Sequence, residues 1–295
     1  MASKTCLYFL TFKTSDMYED SLLWDNKELQ KTIEAPIEKY YENLKQARVN
    51  GGEILKISGG DPFLFEQLPD FLQKAKSLGF SVHLKTNGLL YADFAKKIKG
   101  LTDKLFFFID YPTQEEHNES RGIECFNVVI DAIRYAIQLQ QNPIIEFNLT
   151  RDNVRFLPEM VELSQKLRVK LYLHTAYERQ GSHGFENETY AYIKYFLRNR
   201  EVFINLAELE FLKNHGNKTA LPRCRAKETT ITYLPDGTKV SPCFYNQTGK
   251  QGREPVCYGC VRWLYMIPSF EIGFDKYKFL SWYSKWIKSR KEQKL

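Results

Sequence analysis

Apolar positions along this chain fall into two alternating rhythms. Short runs rich in β-branched and aromatic residues predict strands over Thr5 to Phe12, Ile54 to Ser58, Phe80 to Lys85, Lys104 to Asp110, Ile144 to Thr150 and Val169 to Thr175. Between them, apolar residues three and four apart predict helices over Pro36 to Val49, Leu68 to Leu78, Tyr91 to Ile98, Cys125 to Leu139 and Leu157 to Leu167. Pro36 suits a first helical position, and Gly51-Gly52 and Gly79 mark helix ends. Strands alternating with helices call for parallel strands joined by crossover helices. The expected fold is therefore α/β, a partial (β/α)6 TIM-like barrel.

Barrels of this kind carry ligand and catalytic groups at the carboxyl ends of their strands. That rule singles out the loop after Phe12, Gly59 to Asp61, Thr86 to Gly88, Asp110, Asn148 to Thr150, and His174 to Tyr177. The most informative of these follows Ile54-Leu55-Lys56-Ile57-Ser58. Gly59 and Gly60 permit backbone angles closed to other residues, which predicts N–H groups bared at the strand end. Pro62 removes a donor and fixes φ, and Asp61 holds a carboxylate beside those amides. Such a turn suits a ligand carrying both an ammonium and a carboxylate, and it is equally compatible with an ordinary strand-to-helix turn.

Further along, Tyr190 to Arg200 and Leu206 to Lys213 read as helices. Thr230 to Leu234, Pro235-Asp236-Gly237-Thr238 and Lys239 to Ser241 read as a hairpin, because Asp-Gly accepts positive φ between alternating flanks. From Phe274 to Leu295 the chain is basic and aromatic, with Phe279, Trp282, Tyr283 and Trp286 at helical spacing. That face is expected to pack on the barrel and leave Lys and Arg in solvent; the alternative is a partner or nucleic-acid surface.

Composition narrows the class. With 295 residues, 43% of them hydrophobic, the chain can bury the core of one large domain plus a small appendage. Its net charge of +6 is spread out, 42 Lys and Arg against 36 Asp and Glu, which argues against a nucleic-acid partner. No apolar run approaches a membrane span, and the first residues lead into a strand without a signal-peptide pattern, so a cytoplasmic protein with no membrane partner is expected. Four of the six cysteines, Cys224, Cys243, Cys257 and Cys260, crowd around the hairpin and a Cys-x2-Cys knuckle. In a reducing compartment that favours a metal over disulfides. Four thiolates satisfy zinc and [4Fe-4S] alike, and reduced buried thiols are the plain alternative.

Four markers then agree in order. Ser58-Gly59-Gly60-Asp61-Pro62 resembles the Gly-Gly-Glu-Pro motif of the radical S-adenosylmethionine (SAM) superfamily, and Thr86-Asn87-Gly88 resembles the end of that family's third strand. Phe108-Ile109-Asp110 with His117 and Arg121-Gly122 is similar to its fourth strand and following loop in the peptide-modifying branch. Cys224, Leu234-Pro235-Asp236-Gly237, Pro242-Cys243 and Cys257-Tyr258-Gly259-Cys260 resemble the SPASM/Twitch extension. The resemblance implies a radical SAM-like barrel over residues 1–200, a SPASM/Twitch-like four-cysteine region over 201–268 and a C-terminal helix over 269–295. It implies an auxiliary [4Fe-4S] cluster on the four cysteines, with zinc as alternative, and weak SAM binding or none through Gly59, Gly60, Asp61, Asn87 and Asp110. A peptide or protein is the implied partner. The family's Cys-x3-Cys-x2-Cys loop corresponds here to Thr14, Tyr18 and Ser21. Hydroxyls and phenols are poor ligands for iron–sulfur clusters, so the SAM-cleaving cluster is expected to be missing.

Overall fold

The computed structural model describes residues 4–15, 31–176, 184–247 and 249–293. The strands are β1 (Lys4–Thr11), β2 (Gly52–Gly59), β3 (Ser81–Thr86), β4 (Lys104–Phe108), β5 (Pro143–Leu149), β6 (Lys170–Thr175), β7 (Val202–Phe203), β8 (Thr230–Tyr233) and β9 (Lys239–Val240). The longer helices are α1 (Ile37–Val49), α2 (Leu68–Ser77), α3 (Gln114–Arg121), α4 (Phe126–Gln138), α5 (Leu157–Leu167), α6 (Asn187–Phe196), α7 (Leu206–Lys213), α8 (Trp263–Phe270) and α9 (Lys276–Glu292). Two compact units share them. The first comprises residues 1–145 and 230–240, the second 146–229 and 241–295, and the chain passes between them inside β5.

In the first unit β1 pairs in parallel with both β2 and β8, and β2–β3 and β3–β4 are also parallel. β1 is buried along nearly its whole length, as a strand covered on both faces must be, which explains why its sequence is an unbroken apolar run. The core forms around Tyr8, whose ring stacks on Tyr40 at 5.1 Å and on Tyr233 at 5.3 Å. Buried phenols need partners. Asn43 donates to the Tyr8 hydroxyl at 3.0 Å, and the Tyr40 hydroxyl donates to the Pro235 carbonyl at 2.6 Å. The hairpin formed by antiparallel β8 and β9 is thereby fixed on α1, with Gly237 taking a φ of 79° in its turn.

Within the second unit β6 and β7 are parallel, and α9 packs on α7. β7 is a two-residue strand that hydrophobic periodicity is too short to signal. Two expectations are corrected. The segment holding His117 and Arg121 is the helix α3 rather than a loop. The aromatic positions of α9 do not pack inward: Phe279, Trp282, Tyr283 and Trp286 are all exposed. No helix among the described residues is long and apolar enough to cross a membrane.

Candidate functional site

The strand ends of the first unit come together through their own polar groups. Gly59 has a φ of 111°, and a Cβ on Gly60 would run into the carbonyl oxygen of Lys13. The glycine pair therefore exists to let the chain leaving β1 pass close by. The Gly60 N–H donates to the Thr11 carbonyl at 2.8 Å and the Asp61 N–H to the Lys13 carbonyl at 2.9 Å. This corrects the expectation that these amides face a ligand, because the loop after β1 takes both of them.

Asp61 is buried, and its Oδ1 accepts from the Phe63 N–H and the Thr86 hydroxyl, each at 3.2 Å. Thr86 Oγ1 in turn accepts the Gly88 N–H at 2.9 Å, so one carboxylate ties the end of β2 to the end of β3. Asn87 donates to Ser15 Oγ at 3.1 Å and accepts from the Leu89 N–H, which secures the loop after β1 from the other side. Thr14 lies half-buried in that loop; Met17, Tyr18, Ser21 and Trp24 fall outside the described residues. Asp110 is paired with Arg121, and both are almost fully buried. The Asp110 N–H donates to His117 Nδ1 at 3.2 Å, so Asp110, His117 and Arg121 form one internal cluster.

In the second unit, Cys224, Cys243, Cys257 and Cys260 line a single pocket with a free volume of about 20 Å³. None is in a disulfide. Burial pushes the Cys224 thiol up to about 12, opposed by the N–H of Ala226. Cys243 is also raised by burial, opposed by the N–H groups of Tyr245 and Asn246 and by the Arg262 charge. Further polar groups aim at the other sulfurs: Asn246 Nδ2 lies 3.6 Å from Cys257 Sγ, and Arg262 Nη1 lies 3.5 Å from Cys260 Sγ. Donors turned toward buried sulfur stabilise thiolate, the form that binds metal. Among the described residues no group of three or more His, Cys, Asp or Glu side chains closes on a single ion.

The knuckle is built by a residue the sequence reading missed. Asn217, buried, donates through Nδ2 to the carbonyls of Gly252 at 2.9 Å and Cys257 at 3.0 Å. Its Oδ1 accepts from the N–H groups of Arg223 and Cys224, and its own amide and carbonyl bond Cys260 and Gly259. One residue thus fixes the backbone at Cys224 and Cys257 through its side chain and at Cys260 through its own N–H. An isolated Asn in a loop carries no periodic signal; Gly216 before it, at a φ of 68° against the Gly259 carbonyl, was the only local hint of close packing. His174, also singled out from the sequence, pairs through Nδ1 with the buried Glu208 at 2.9 Å; Tyr177 and Arg179 fall outside the described residues.

Comparison with known proteins agrees with this geometry. Residues 20–152 match the family model described as "Radical SAM superfamily". A probable GTP 3',8-cyclase of Saccharolobus solfataricus is 33% identical over 129 residues, 42% of this chain and 42% of that protein. One from Metallosphaera sedula is 29% identical over 123 residues, 40% and 38% of the two chains. The matched region thus spans under half the length of these relatives. Among solved structures, Streptococcus suis SuiB bound to S-adenosylmethionine has a TM-score of 0.67 at 14% identity, covering 84% of this chain and 62% of SuiB. The anSMEcpe protein with bound AdoMet has a TM-score of 0.64 at 16% identity, covering 97% and 84%. Both share the α/β fold with its parallel sheet. Residues 20–152 thus carry a radical SAM domain, a match that covers under half of this chain, and the superfamily it names works with a [4Fe-4S] cluster and SAM.

Proposed function

We propose that this protein holds its iron–sulfur cluster on Cys224, Cys243, Cys257 and Cys260, lacks the cluster that cleaves SAM, and derives from the peptide-modifying branch of the superfamily. The observation that carries the reading is a contrast in thiols. No cysteine lies between Cys6, inside β1, and Cys125. Four others share one cavity. Three thiolates in the loop after β1 are what the family's SAM chemistry requires, and this sequence offers Thr14, Tyr18 and Ser21.

We favour a cluster over zinc at this site. Four thiolates satisfy either metal, and the preference for a cluster comes from the likeness of Cys224, Cys243 and the Cys257–Cys260 knuckle to the SPASM/Twitch pattern. A [4Fe-4S] cluster would supply reversible one-electron redox chemistry or brace the fold. This chain's part is to deliver thiolates, with Asn246 and Arg262 donating to sulfur and Asn217 holding the backbone. The partner we propose is a peptide or protein. Support comes from SuiB bound to its precursor peptide SuiA, a structural relative with a TM-score of 0.68.

A second reading, a non-catalytic peptide-binding protein, is favoured by the self-satisfied strand ends. Gly60 and Asp61 spend their amides on the loop after β1, and Asp61 and Asp110 are tied to Thr86 and Arg121. On this reading Gly59, Gly60, Asp61, Asn87 and Asp110 shape the mouth and bind SAM weakly or not at all. Anaerobic purification with iron and sulfide analysis, an absorption spectrum and a SAM titration on one sample test both. Iron and sulfide in equal amounts support the cluster, and zinc alone rejects it. Formation of 5′-deoxyadenosine from SAM with dithionite would return the protein to the radical-forming enzymes.

A further inference from the structure

The helix α9 faces the wrong way for a packing element. Beside Tyr277, which stacks on Phe270, its inward side is held by polar groups. Ser281 is buried and donates to Glu271 at 2.8 Å, Ser284 Oγ accepts the Leu206 N–H at 2.9 Å, and Lys291 Nζ donates to the carbonyls of Leu197, Asn199 and Val202. Its outward side is aromatic, with Phe279 61%, Trp282 56%, Tyr283 38% and Trp286 42% exposed, and Phe274 is fully exposed just before the helix. Contiguous aromatic surface of this kind costs solvation and marks a place where something docks.

Charge and ring geometry decide what docks. Along α9 five lysines and Arg290 face a single acid, Glu292. Lys285 and Lys276 are paired with Glu271 and Glu210. Lys278 and Arg290 instead lie over rings, Lys278 over Phe274 at 4.8 Å and Arg290 over Trp286 at 4.4 Å, so positive charge sits at the level of the aromatic face. A second copy of the chain would bring the same positive face and be repelled. Nucleic-acid bases need open ring faces to stack on. Here Phe279 and Tyr283 lie within 3° of parallel at 6.3 Å, and Tyr283 and Trp286 within 19° at 5.7 Å, so the rings pair with one another along the helix. Exposed Trp and Tyr flanked by cations suit the headgroup layer of a bilayer.

We propose that α9 docks this protein on an anionic lipid surface, lying in the plane of the headgroups with its exposed rings between them and Lys278 and Arg290 on phosphates. Docking requires no spanning helix, and it leaves the four-cysteine cavity untouched. The test is sedimentation of the full chain with vesicles of phosphatidylcholine alone and of phosphatidylcholine containing about one third phosphatidylglycerol. Binding to the anionic vesicles, weakened by salt, is expected. Trp282→Ser with Trp286→Ser should weaken it on the order of tenfold, and Lys278→Glu with Arg290→Glu should abolish it. Both pairs are surface changes, and far-ultraviolet circular dichroism should be unchanged. Failure to bind anionic vesicles, binding that survives both double variants, or retention of a single-stranded RNA or an acidic peptide in place of vesicles overturns the proposal.

Discussion

The loop after β1 and the four-cysteine pocket differ in what they offer a metal. At the first, Gly60 admits the chain beside it, and Asp61, Thr86 and Asn87 tie the strand ends together. That loop contains no cysteine. At the second, four cysteines line one pocket, with donors to sulfur from Asn246 and Arg262 and a backbone scaffold from Asn217. The difference teaches that the glycine and asparagine motifs at the strand ends have a purpose of their own in folding. They hold loops in place, and they persist in a chain that has no thiolates there.

Four substitutions probe that comparison. The largest effect is expected at Cys257→Ala, which should empty the cavity of iron from about four atoms per chain and loosen the segments around Asn217, as judged by metal analysis and proteolysis. Full iron in that variant would erase the contrast between the two regions. Gly60→Ala should cost about 4 kcal/mol in urea unfolding, because the new methyl meets the backbone of Lys13 rather than a side chain that can turn aside. A cost near zero would mean that the loop after β1 is not held as described.

Asn217→Ala should cost about 2 to 3 kcal/mol by leaving buried backbone groups at Cys224, Cys257 and Gly252 without partners, and it should lower iron content without abolishing it. Unchanged iron and stability would show that the cysteines hold the knuckle unaided. The smallest effect is expected at Asn87→Ala, about 1 kcal/mol, since its bond to Ser15 is near the surface. A much larger loss there would raise the strand-end motif from loop anchor to keystone of the first unit.

Legibility followed range. Alternating strands and helices were readable because burial on one helix face or both strand faces imprints a local period, as in Val129, Ile130, Ile133 and Ala136 of α4. The Asp-Gly turn was readable because φ chemistry is local, and the gathering of Cys224, Cys243, Cys257 and Cys260 because thiols are rare. Misreadings came where one residue has two uses. Gly-Gly admits a ligand or a neighbouring backbone, and sequence contains no term that separates them. An aromatic stripe on a helix has the same period whether it faces core or solvent.

The sequence by itself determined the α/β alternation, the turn positions, the absence of thiols after β1 and their concentration near the end, since each depends on residue type or nearest neighbours. Only the tertiary structure decided that the Thr230–Val240 hairpin joins β1, that Lys13 and Thr11 consume the Gly60 and Asp61 amides, that Asn217 frames three cysteines, and that α9 turns its rings outward. Each of these is a contact between residues far apart in the chain, set by which surfaces the whole molecule can bury at once.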